Sequence, residues 1–259
     1  NIQVSTQAIR ALLVRGIEVI FLSQSGSFLG RLSGSIRKNI DLRQKQFAHL
    51  SDPENALAIA KSCILGKLHN QRILLLRYQR KLKEEALTQV LLAIRLLIER
   101  ILQADNLDTL RGFEGSAAAR YFSVFGHLIS VPDISFVHRI RRPPPDPVNI
   151  LLSFGYTLLG NLIQGYTELA SLDPYLGALH QPSYGRPSLA LDLLEEWRPL
   201  IVDLAVLRVI NTRSIRKQHF MPVNDEDVPL EESWEREDIA KADKDGNDLK
   251  GIGGEKNSR

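Results

Sequence analysis

The chain has 259 residues, 44% of them hydrophobic, enough for one large core or two ordinary ones, and its single cysteine, Cys63, excludes an internal disulfide or a cysteine-built metal cluster. No run of about 18 apolar residues is free of charges and the first ten residues lack a secretory signal's basic start, so no membrane insertion is expected and a cytoplasmic setting is the default. The net charge of +3 conceals an asymmetry: residues 222–259 carry 12 acidic against 6 basic side chains, leaving 18 acidic against 27 basic before Pro222, a balance that suits a polyanion partner and equally an ordinary basic domain.

Ile9, Leu12 and Leu13 share a helical face in residues 5–15 after a Ser5 cap, and Gly16 ends that run. Residues 17–22 (IEVIFL) and 28–32 read as a β-hairpin around a turn at 23–27. Two strands alone are marginal, and the sequence starts with Asn1 rather than Met, so a longer β-domain whose first strands precede Asn1 is expected. Residues 1–38 are thus the remainder of an N-terminal β-domain, and 39–51 a linker with a short helix. From Pro53 a helical pattern runs through Ala56, Ile59, Ile64, Leu68 and Ile73, and a second covers Leu82 to Leu102. Further helices are expected over 108–128, 147–172 and 187 to about 216, separated by RPPPDP and QPSYGRP loops. The fold class is α+β, with residues 52–221 an all-α domain and 222–259 an acidic tail too poor in apolar residues to order itself. Asp243, Asp245 and Asn247 imitate a calcium loop, but its sixth position is Asp248 instead of glycine and the match is rejected.

The chemistry-bearing signal is the block LHQPSYGRPSLALDLLEEWRP at 179–199. Asp192 and Glu195, three apart, share a helix face among Leu189, Leu191, Leu193, Leu194 and Trp197, and acids among so many core formers require an explanation. One explanation is ionic pairing with basic neighbours such as Arg198, with His180 capping the preceding helix. The other is that imidazole and carboxylates converge on a divalent ion, a mixed N/O set that suits manganese or magnesium. A further acid, Glu114, lies in GFEGSAAARY, where small residues would let a helix or phosphate approach; spacing alone does not link it to His180. Tyr156 and Tyr166 are expected in the core, and His49, His69, His127, His138 and His219 are given no role.

A Glu-Gly-small helix, then a histidine, then SLALDL-x-E-x-x-RP resembles the CRISPR-associated integrases, the first-numbered Cas protein. Similar too are STQAIRALLVRGIEVIFLSQSGSFLGRL, GKLHNQR at 66–72, DPVNILLSFGYTLL at 146–159 and LDPYLGALH at 172–180, so the resemblance spans residues 3 to about 213. It implies an α-helical catalytic domain in which Glu114, His180 and Glu195 are both the catalytic residues and the ligands of Mg2+ or Mn2+, with Asp192 as a second acid of the same site. It also implies spacer insertion by attack of a DNA 3′-hydroxyl on a repeat phosphodiester, endonuclease activity, a homodimer, DNA and the small second-numbered Cas protein as partners, and a prokaryotic cytoplasm. Arg139, Arg141, Arg142 and Arg186 are the expected DNA contacts. The competing expectation is a non-catalytic, nucleic-acid-binding helical scaffold whose acids serve as ion pairs.

Overall fold

The computed structural model describes residues 3–17, 19–22, 28–32, 34 and 39–220. Ser5 caps α1 (Thr6–Val14) by accepting the Ala8 amide at 3.2 Å. β1 (Val19–Leu22) and β2 (Phe28–Leu32) pair antiparallel, Val19 opposite Leu32 and Phe21 opposite Gly30. The expected turn at 23–27 and the acidic tail at 222–259 lie outside the described residues. Among the described residues the regular elements beyond the hairpin are all helical, so the molecule is α+β with a small N-terminal sheet. Residues 1–217 cluster as one compact unit, to which the helices described below and the candidate site belong.

The stretch 39–51 is occupied by α2 (Ile40–Ser51), which Asn39 caps. Gln46 anchors it: the side-chain amide donates to the Asp173 carbonyl at 2.8 Å and its oxygen accepts the Asp173 amide at 2.8 Å. Asp52 caps α3 (Pro53–Leu82), whose first turn takes Pro53 because a proline there forfeits no helical hydrogen bond. Nothing between Ile73 and Leu82 breaks a helix, so α3 runs nine residues past the last position read in its pattern and ends at Lys83, in the left-handed region with φ 55°. α4 (Glu85–Leu102) returns along it.

α5 (Leu107–Ser123) is shorter than expected: beyond Val124 the chain tightens into a 3-10 turn, Phe125–Leu128, where Gly126 lies directly against the Phe136 carbonyl. Asp146 caps α6 (Pro147–Leu169), which also stops early, at a Ser171 of positive φ. α7 (Ser188–Trp197) runs through a π-helical stretch, Arg198–Asp203, into α8 (Leu204–Asn211). Pro199 has no amide hydrogen for the α ladder and its ring crowds the preceding turn, which accounts for the widening there.

Ile64, Leu68 and Leu75 of α3, Ile94 and Ile101 of α4, Leu110 of α5, Leu152 of α6 and Leu207 and Ile210 of α8 are completely buried together. Each such side chain contributes roughly 1.5–3 kcal/mol of transfer free energy. Tyr156 packs against this core as expected, but Tyr166 is 62% exposed. It closes a stripe of exposed apolar side chains along α6, Ile150, Phe154, Leu158, Leu162 and Tyr166, one per helical turn. Among the described residues no helix is long and apolar enough to cross a membrane.

Candidate active site

α7 enters the core because its two close neighbours are built to receive it. Gly66 of α3 leaves room for the Glu196 side chain, and Gly155 of α6 for Val202, whose methyl would lie 2.5 Å from any added Cβ. The Asn70 amide of α3 donates to the Glu196 carbonyl at 2.9 Å. Asp192 and Glu195 are thereby carried inside, 0% and 3% exposed.

Asp192 is occupied. One oxygen accepts the amides of Ala178 and Leu179 at 2.5 and 2.9 Å, and the other accepts the His180 amide at 3.0 Å and sits 2.6 Å from His180 Nδ1. A carboxylate can only accept, so Nδ1 carries a proton, and in the neutral imidazole Nε2 then keeps its lone pair. Arg111 of α5 holds the same loop from the other side, donating twice to the Leu179 carbonyl at 3.0 and 2.8 Å. The site therefore orients the imidazole through a buried carboxylate, as metal-binding histidines are oriented. His180 does not act as a simple helix cap, and Asp192 does not pair with Arg198.

Glu195 does pair with Arg198, at 2.8 Å, and also with Lys67 of α3, at 2.6 Å. The second contact lacks hydrogen-bond alignment, leaving Glu195 Oε2 buried with an unused lone pair. Lys67 also bonds Glu114 Oε1 of α5, so one ammonium bridges the two acids. Burial alone would push the Lys67 ammonium down, but Glu195 and Glu114 outweigh it and hold it above its ordinary value. Burial likewise disfavours the Glu195 charge, and Lys67 and then Arg198 overcome that to hold its carboxyl at about 2. Lys67 lies within the GKLHNQR stretch, yet sequence spacing assigns it no role; only the helix crossing brings it between acids 47 and 128 positions away.

Glu114, His180 and Glu195 line one pocket of about 470 Å3 together with Asp108, Arg111, Arg141, Leu179, Gln181, Arg186 and Arg198. Two of the four expected DNA-contact arginines, Arg141 and Arg186, are therefore at the site. Arg142 lines an adjoining cleft with Arg139, Arg141, Tyr156 and Arg198. Arg139 is engaged internally, donating to Ile140 O at 2.7 Å, Asn149 Oδ1 at 2.8 Å and Ser153 Oγ at 2.9 Å. Beneath the site Cys63 is buried, and burial, reinforced by Asp192, Glu196 and Glu195, pushes its thiol up to about 12, far from a nucleophile's range.

Among the described residues no three His, Cys, Asp or Glu side chains stand close enough to hold a metal ion as they are; Lys67 lies between the acids. The donors nonetheless suit a hard divalent cation: two carboxylates that already share one positive centre, a buried unused oxygen lone pair and an oriented imidazole in the same pocket.

A family model described as CRISPR associated protein Cas1 matches residues 1–243. The CRISPR-associated endonuclease Cas1 2 of Rhodospirillum rubrum is 43% identical over 227 residues, covering 84% of this chain and 65% of that protein. The chain spans between 41% and 65% of the length of several curated relatives it matches. Among solved structures, a Cas1 protein from Thermotoga maritima superposes with a TM-score of 0.71 at 29% identity, covering 85% of this chain and 69% of that one. A chain of a Cas6-RT-Cas1–Cas2 complex superposes with a TM-score of 0.69 at 31% identity, covering 83% of this chain and 23% of that one.

Proposed function

The chain belongs to the Cas1 family of CRISPR-associated proteins, and on that premise we propose that it joins short DNA fragments into a CRISPR repeat and cuts DNA by the same chemistry. The 3′-hydroxyl of the fragment attacks a repeat phosphodiester, a new phosphodiester forms and the displaced strand leaves with a free 3′-hydroxyl; water in place of the attacking hydroxyl gives hydrolysis. The observation that carries this reading is the convergence of Glu114, His180 and Glu195, from α5, the loop before α7 and α7 itself, in one pocket rimmed by Arg111, Arg141 and Arg186.

Glu114, Glu195 and His180 Nε2 would hold Mg2+ or Mn2+. Such an ion, when bound, supplies Lewis acidity at the scissile phosphate and lowers the pKa of an attacking hydroxyl or water. Asp192 is a positioning residue rather than a ligand, because its oxygens already carry three backbone amides and the imidazole. Arg141 and Arg186 attract and orient phosphates, and Arg198 neutralises Glu195 while lying 4.9 Å over the Tyr156 ring. No side-chain nucleophile is required, in keeping with an inert Cys63. The partners of this reading are the fragment and repeat DNA, a second copy of the chain and the small Cas2 protein, in a prokaryotic cytoplasm; the Cas1–Cas2 assembly of a solved relative supports the Cas2 partner.

The test is strand transfer of a short duplex into a supercoiled plasmid carrying a CRISPR repeat, with manganese or with chelator, for the wild type and His180→Ala. Metal-dependent joining by the wild type and loss of at least about 100-fold in the folded variant is expected, the scale of a lost metal ligand or its orienter. The ion pairs of Glu114 and Glu195 favour a second reading, a nucleic-acid-binding scaffold. Tight DNA binding that ignores metal, without joining, would select it and overturn the enzyme.

A further inference from the structure

Lys67 is a lysine at 5% exposure in the middle of a 30-residue helix, with its ammonium against Glu114 Oε1 and 2.6 Å from Glu195 Oε2. Arg198 takes the other Glu195 oxygen at 2.8 Å. Two carboxylates are thus matched by two cations. The other acids near the pocket are spoken for as well, Asp108 by Arg111 and Asp192 by His180, while Arg141 and Arg186 add positive charge at the rim. A divalent cation approaching this pocket meets acids already neutralised beneath a basic rim. An ion bridging the two acids would need the place between them that the ammonium holds, against Glu114 Oε1 and 2.6 Å from Glu195 Oε2.

Resting on the metal reading above, we propose that Lys67 is an internal counter-cation, which holds Glu114 and Glu195 together in the ion-free protein and which a divalent ion must displace in order to bind. The lysine keeps the two acids from repelling one another during folding, sets the separation at which they wait, and lowers affinity for the ion by competing from inside the protein. Its helix fixes it there, since a buried ammonium without a carboxylate would be costly.

The experiment measures Mn2+ binding to the DNA-free full chain, from loss of the free-ion paramagnetic resonance signal, in the wild type, Lys67→Met, Lys67→Arg, Arg186→Met and the Lys67→Met, Glu195→Gln double variant. Lys67→Met should bind about tenfold tighter or better, in the usual range of coupling between competing sites. Lys67→Arg should stay at the wild-type level, and the double variant should lose the gain. Arg186→Met removes a charge from the same pocket without touching either acid and should gain less than about threefold, the long-range share of the effect. A gain in Lys67→Met no larger than in Arg186→Met overturns the proposal. Should Lys67→Met fold only with Mn2+ present, the ion has taken the ammonium's place, as proposed; if it stays unfolded in excess Mn2+, the proposal falls. Binding that depends on Glu195 but ignores Lys67 sinks this inference alone, whereas binding that ignores Glu195, or is absent from every variant, sinks the metal reading and this inference with it.

Discussion

Asp203 shows how one residue's surroundings change its chemistry. It is 1% exposed at the end of the π-helical stretch and accepts the Tyr121 hydroxyl at 2.8 Å and the Tyr156 hydroxyl at 2.5 Å. Burial raises its carboxyl to about 6 against the opposing pull of Tyr156, Tyr121 and Arg198. A folded value above the ordinary one of about 3.8 means that between about pH 4 and pH 6 the folded chain keeps a proton the unfolded chain has released. The stability due to that proton is full below pH 4 and is lost as the pH rises through 6, on the order of 3 kcal/mol by pH 7. Asp203→Asn cannot titrate, so relative to the wild type it should gain about that much stability between pH 4 and pH 7, read by urea denaturation at both. A difference that does not change with pH would place the Asp203 carboxyl in its ordinary range. Lys67 belongs to the same scale: the sequence marks it as one lysine among many basic residues, and its meaning comes entirely from two carboxylates on other helices.

At the scale of elements, the site depends on how closely the loop before His180 docks on α7. A Cβ added to Gly177 would stand 2.6 Å from the Ser188 carbonyl carbon and 2.8 Å from both Asp192 Oδ2 and the Leu189 amide. Neither backbone nor the fully engaged Asp192 carboxylate has room to move. Gly177→Ala should therefore destabilise by roughly 1–3 kcal/mol and misplace His180, lowering activity beyond what stability explains. Gly112→Ala is the matched control, since nothing lies within 4 Å of its added Cβ, and it should be neutral or stabilising by about 0.5–1 kcal/mol in a helix. Equal melting temperatures for the two variants would contradict the close docking. Helix starts were legible from local chemistry: Ser5 was read as a cap and accepts the Ala8 amide, and the helices expected from Pro53 and from residue 147 begin there, with Asp52 and Asp146 supplying the caps. The ends of α5 and α6 were not, because Gly126 lies against Phe136, and beyond α6 the Ser171 and Asp173 carbonyls accept from Arg43 and Gln46 of α2, contacts between segments far apart in the chain.

For the whole molecule, the excess of basic residues before Pro222 becomes meaningful only once it is known which arginines face the pocket. Arg186 lines it, so Arg186→Gln should flatten the slope of log DNA affinity against log salt by roughly one unit. Arg139 is bonded to Ile140, Asn149 and Ser153, so Arg139→Gln should lower stability and leave that slope unchanged. Filter binding from about 50 to about 200 mM salt checks both, and the reverse pattern would exchange their roles. By itself the sequence determined the α+β class, the order of the helices, the family resemblance and the acids and histidine worth watching, because caps, periodicity and motifs are properties of neighbouring residues. Tertiary structure alone decided that Asp192 orients His180 instead of facing the pocket, that Lys67 sits between Glu114 and Glu195, and that Tyr166 lies outside while Tyr156 packs within. Those outcomes depend on which helix faces meet, and a 3.6-residue period shows that a face is apolar without showing what will cover it.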